Sequence, residues 1–142
     1  QLYRSHEERE IGFRAVLRQD FPLLHIIEVN GNDDPKTNFA CVSQLIARHP
    51  DLRGVYCVGG GQAAVARAIE KARLADKLVM IGHNYNDETR PFLLSGTIDA
   101  IIHQDMMRIA EAALECLVGR NSAQSVVSVP VEIITRENLM HR

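Results

Sequence analysis

The chain contains no HExxH segment, no GxSxG elbow and no CxxC pair. The first absence removes the helical zinc-protease pattern, the second the nucleophile turn of α/β hydrolases, and the third paired-thiol redox or zinc-ribbon chemistry. No apolar run is long enough to span a bilayer. Lys and Arg are scattered through a chain of net charge -2, so no general attraction to nucleic acid is built in. There is no internal repeat and no low-complexity linker. The opening residues QLYRSHEERE carry no signal-peptide pattern, which a mature or truncated chain would also lack. Cysteine is sparse: Cys41, Cys57 and Cys116 stand far apart, an odd set that fits reduced thiols in a cytoplasmic protein. Cys57 lies inside an apolar run and reads as a small core residue.

What is present is 142 residues, 46% of them hydrophobic, enough for one compact domain with its own core. Apolar positions at helical spacing predict helices over 6–19, 36–48, 62–74, 89–95 and 106–118. Ser5 is a candidate N-cap for the first, with Glu7 and Glu8 in its opening turn. Runs such as LHIIEV (24–29), VYCV within 54–58, LVMIG (78–82), IDAIIH (98–103) and a last segment over 126–134 read as strands. Strands and helices alternate, and the apolar runs suit strands buried on both sides. The expected fold is therefore α/β: three layers, a mainly parallel sheet with helices on both faces. Ligands of such folds gather at the carboxyl ends of the strands. Those ends are Asn30–Asp34, Gly59–Gln62, Gly82–Asn86 and His103–Asp105.

The stretch GVYCVGGGQAAVARAIE poses the sharpest question. Gly59-x-Gly61-x-x-Ala64 fits a loose dinucleotide fingerprint, in which backbone N–H groups and a helix start hold a pyrophosphate. The acid expected about 20 residues on, at the next strand end, is missing: Ile81, Gly82, His83 and Asn84 stand there. No Lys-Ser or Lys-Thr pair follows the glycines. A close-approach turn is the better reading. No histidine spacing suggests a metal, and neither metal nor cofactor is expected. Most of the six histidines read as surface or capping residues, while His83 and His103 stand at strand ends, from which a side chain can line a pocket. Asp33 and Asp34 read either as an acid pair or as solvated caps.

Several pieces recur in a familiar order. Arg9 precedes Gly12-Phe13 on the first helix, and Asp34-Pro35 sits in the next loop. LIARHPDLRGVYCVGGG, IGHN and GTIDAIIHQD follow. Together they resemble the effector-binding region of the lac repressor family, which shares its fold with the periplasmic sugar-binding proteins. The resemblance spans nearly the whole chain. It implies a non-enzymatic domain that binds a sugar or sugar-like effector and controls DNA binding allosterically. The alternatives are the sugar-binding component of a transport system and a Rossmann-type nucleotide-binding enzyme.

It also implies the ligand contacts. Arg9 matches an arginine that binds hydroxyls or carboxylates, a task its fork of donors suits. Ser5 matches a small hydroxyl position, where the N-cap reading competes. Gln104 matches a polar residue at the domain crossover, and His83 adjoins Asn84. Three positions depart from the family. Asn84 replaces an aspartate, Gly60 replaces an asparagine, and Asp33 stands where many members place a stacking aromatic.

Residues 1–142 are expected to form a single lobe. The segment 106–125 would be a crossover helix and loop associated with another lobe, and 126–134 a returning strand. Operator DNA would be contacted only through an N-terminal helix-turn-helix that this sequence lacks, and no membrane partner is expected. Met106, Ile109, Ala110, Ala113, Leu114 and Leu117 make an apolar stripe that predicts a homodimer or a helix folded back on its own lobe.

Overall fold

The computed structural model describes residues 4–119 and 127–139. Its elements run α1 (Arg4–Asp20), α2 (Pro35–Arg48), β1 (Gly54–Tyr56), α3 (Gln62–Lys71), β2 (Val79–His83), α4 (Arg90–Ser95), β3 (Ala100–Gln104), α5 (Met106–Leu117), β4 (Val131–Ile134) and α6 (Arg136–Leu139). The strands form one sheet in the order β1-β2-β3-β4. The first two ladders are parallel, and β4 returns antiparallel to β3 with Gln104 opposite Val131.

The two faces of the sheet follow from the period of two along each strand. Val55 and Cys57 pack against the core that Val65 and Ile69 of α3 share with Met80, Leu93, Ile101 and Ile134. Tyr56 points the other way and stacks on Phe13 of α1, ring centroids 4.5 Å apart. Helices therefore cover both faces, and the fold is the expected α/β layer structure. Each fully buried Ile, Leu or Met contributes about 1.5–3 kcal/mol, so the α3 side holds most of the stabilising burial. Neither α1 nor α5 has a buried residue. Ile11 and Val16 of α1 face solvent.

Local chemistry explains most boundaries. Asp34 caps α2 by accepting from the Thr37 N–H and Oγ1, both at 2.7 Å, and Pro35 occupies the first turn. The Thr37 hydroxyl holds the Asp34 carboxyl below its usual range. Asp105 caps α5 through Met107 and Arg108. Helix α3 stops earlier than the periodicity predicts, because Arg73 adopts a left-handed φ of 57°. The N–H groups of Leu74 and Arg73 then bond back to Ile69 and Glu70, a Schellman termination.

Three expectations fail. Residues 24–29 form no strand. A strand needs a neighbour, and in a 2-1-3-4-5 sheet the strand after the first helix pairs with one that precedes that helix. Among the described residues no strand precedes α1, and Leu24, Ile27 and Val29 are exposed. Ser5 is not an N-cap, since α1 already includes Arg4. The returning strand is confined to Val131–Ile134, and residue 126 lies outside the described residues. The short α6, which places Leu139 in the core, was not anticipated.

Candidate functional site

The carboxyl ends of β1, β2 and β3 lie side by side, and α1 crosses above them. Arg9, half-buried on α1, is the residue that ties them together. One guanidinium nitrogen donates to the Val58 carbonyl at 2.7 Å, just past β1. Another donates to the Gln104 side-chain oxygen at 3.1 Å, at the end of β3. The amide nitrogen of Gln104 remains as a donor. Asn84 follows β2 directly. Its backbone is left-handed, with φ 61°, and its N–H bonds to the Ile102 carbonyl at 2.9 Å. The side chain of Asn84 is exposed at this edge. A left-handed turn suits asparagine better than most residues.

A second group of contacts fixes the glycine turn. Asp33, also left-handed at φ 55°, accepts the Gly60 N–H at 2.6 Å. Asn38 of α2 donates to the Gly60 carbonyl at 3.1 Å. A Cβ on Gly59 would collide with the Asp33 carboxylate and the His6 ring, and one on Gly61 with the Asn38 side chain. The glycines are thus required by close approach. The N–H that a phosphate would need at the start of α3 is already taken by the chain's own carboxylate.

Beneath Arg9 lies an aromatic pair. Tyr56 Oη and His83 Nε2 are 2.7 Å apart. His83 is nearly inaccessible, and its Nδ1 has no partner among the described residues. Burial, then the charge of Arg9 and the nearby His6, pushes the His83 pKa down to about 4, so the ring is neutral at neutral pH. Burial likewise raises Tyr56 above its ordinary range. The buried Gln62 side chain clamps the His83 backbone from α3, accepting its N–H at 3.0 Å and donating to its carbonyl. Burial pushes the Cys57 thiol up to about 11, which keeps it an unreactive thiol beside the turn.

Of the residues expected from the sequence, Arg9, Gln104 and Asn84 gather at one edge, and Asp33 and Gly60 meet beside them. His83 lies under the site rather than in its wall. Ser5 is exposed one turn before Arg9, with no side-chain hydrogen bond to the site. His103 stands edge-on to Tyr85 at 6.3 Å. Sequence reasoning missed His6, Tyr56, Gln62 and Asn38. His6 was legible: three residues before Arg9, it shares that helical face. Among the described residues no cluster of three His, Cys, Asp or Glu side chains is arranged to hold a metal ion. No helix among them is long and apolar enough to cross a membrane.

Residues 2–120 match the family model described as a periplasmic binding protein domain. No curated protein matches the chain. Among solved structures, an ABC transporter solute binding protein from Agrobacterium vitis with bound D-fucose is 24% identical, with a TM-score of 0.82 over 92% of this chain and 47% of its own. One from Burkholderia graminis in complex with D-arabinose is 23% identical, TM-score 0.84, over 96% and 50%. A sugar-binding protein of a sugar ABC transporter from Bacillus halodurans is 21% identical, TM-score 0.81, over 95% and 52%. The chain spans about half the length of these structures, and at such identities the likeness is one of fold.

Proposed function

The chain belongs to the periplasmic binding protein domain family, and from that premise we propose that it is one lobe of a two-lobed receptor for a sugar or sugar-like molecule. The observation that carries this reading is the Arg9 bridge: one guanidinium spans the ends of β1 and β3 and leaves the Gln104 amide and Asn84 free beside it. Such a cluster offers donors and an acceptor to neutral hydroxyl groups. Asp33 adds a carboxylate acceptor at the rim. The role is binding rather than catalysis. A second lobe closing over this edge would complete the enclosure that a small-molecule site needs.

Capture for transport is the favoured use, because the similar solved structures are transporter solute-binding proteins. The order of the motifs IGHN and GTIDAIIHQD supports a second reading, in which the same closure drives a ligand-responsive regulator. An exposed half-site binds weakly, so the test is residue-resolved NMR with D-fucose and D-arabinose at millimolar concentration. Shifts should map to Arg9, Gly60, Asn84 and Gln104, and Arg9→Ala should remove them. Shifts from a nicotinamide nucleotide at Gly59–Gln62, with none from either sugar, would overturn the reading.

A further inference from the structure

At the opposite edge of the sheet, where β1 and β2 begin, the chain forms a groove of about 260 Å³. Its floor is apolar: Ile46, Pro50, Leu52, Leu74 and the buried Leu78. Its polar and charged side chains are those of His49, Arg53 and Lys77. The two connections α2–β1 and α3–β2 build it, and Arg53 is held beside Val79 by the bond from the Val79 N–H to the Arg53 carbonyl, 3.0 Å. Arg53 and Lys77 are exposed, and neither side chain has a hydrogen-bond or ion-pair partner among the described residues. The nearest acids in sequence, Asp51 and Asp76, are exposed and do not line it. The five residues of β2 separate this groove from the site at the other edge by roughly 15 Å.

We propose that this groove is a second ligand site, for a small amphiphilic monoanion: a short apolar body with one carboxylate head. The chemistry is complementary on both counts. Five apolar side chains line the floor to receive the body, and a guanidinium and an ammonium line the same groove to meet a head group. The helix ends do not supply the anion attraction, since α2 and α3 present their carbonyl ends here, which favour cations. The head therefore depends on Arg53 and Lys77 themselves. Size selects a small ligand over a protein partner. The volume falls just below the ~300–1,000 Å³ of drug-sized pockets, whereas a stable protein interface needs about 1,000 Å² or more of good complementarity. The site is independent of the sugar reading, because it shares no residue with Arg9, Asn84 or Gln104.

The test uses hexanoate on the ¹⁵N-labelled chain, with hexanol and inorganic phosphate as half-ligands. Hexanoate should shift the amides of residues 46–53 and 74–79, with affinity about tenfold above that of either half-ligand. The double substitution Arg53→Gln with Lys77→Gln should weaken hexanoate about tenfold while leaving the thermal midpoint in place, both side chains being at the surface. The proposal is overturned if hexanoate shifts only α5, if hexanol binds as well as hexanoate, or if the double variant binds hexanoate unchanged. Sugar-induced shifts at Arg9 report on the other site alone, so either proposal can fail without the other.

Discussion

The two faces of the sheet differ sharply in how they are held. On the α3 side, Ile69, Met80, Leu93, Ile101 and Ile134 have no exposed surface at all. On the α1 side, nothing in the helix is buried and Ile11 is 66% exposed. Yet α1 carries Arg9, the residue around which the candidate site is built. The buried core and the candidate site thus lie in different layers. Helix α1 is retained by a few specific contacts: the Phe13–Tyr56 stack, the Arg9 bonds to Val58 and Gln104, and the Arg14 pair with Glu28. A layer held this way can adjust to a ligand without disturbing the core.

Cavity formation should separate the layers most strongly. Ile69→Ala should cost about 2–5 kcal/mol in chemical denaturation, against about 0.5 kcal/mol or less for Ile11→Ala. Equal losses would erase the distinction. Next comes pH. A histidine whose folded pKa lies below its unfolded value near 6.5 binds its proton first in the unfolded chain. Its contribution is therefore whole above about pH 6.5 and lost as pH falls toward 4. Its upper bound is about 3.5 kcal/mol at ~1.4 kcal/mol per unit, and solvent screening reduces it. His83→Gln should flatten that part of the stability profile, and an unchanged slope would show the ring to be solvated. Phe13→Ala should cost about 1–2 kcal/mol, by loss of the stack and partial burial. It should speed amide exchange in α1 while leaving α3 protected. Uniform exchange across both helices would mean that the layers unfold as one. The smallest effect lies at the end of α3: Arg73→Gly should stabilise by about 0.5–1 kcal/mol, by relieving a left-handed residue.

The parts legible in the sequence were those governed by neighbours along the chain. The cap reading of Asp34, the helices at 3.6 spacing and the turn nature of Gly59–Gly61 all depend on a few adjacent residues. LHIIEV at 24–29 was misread because an apolar run states its wish to be covered but not whether a partner strand exists. Tyr56 and His83 stand 27 residues apart, and the Gln62 clamp spans 21. No local pattern announces either. Arg9, Asn84 and Gln104 were placed through motif order, which encodes topology indirectly. The groove at Arg53 and Lys77 left no motif, because its residues come from two connections whose ends meet only once the sheet has formed.

Asp33 occupies the place that an outside anion would take at the glycine turn. Its carboxylate sits on the Gly60 amide, so a turn with the makings of a phosphate cradle is answered internally, much as a counter-ion neutralises a charged resin. A single change, Asp33→Gly, removes the resident anion, keeps a residue at ease in the left-handed backbone, and leaves the amide and the start of α3 unopposed. Inorganic phosphate should then compete for that position where the parent chain ignores it. The closed turn and a phosphate holder would stand one codon apart on the same scaffold.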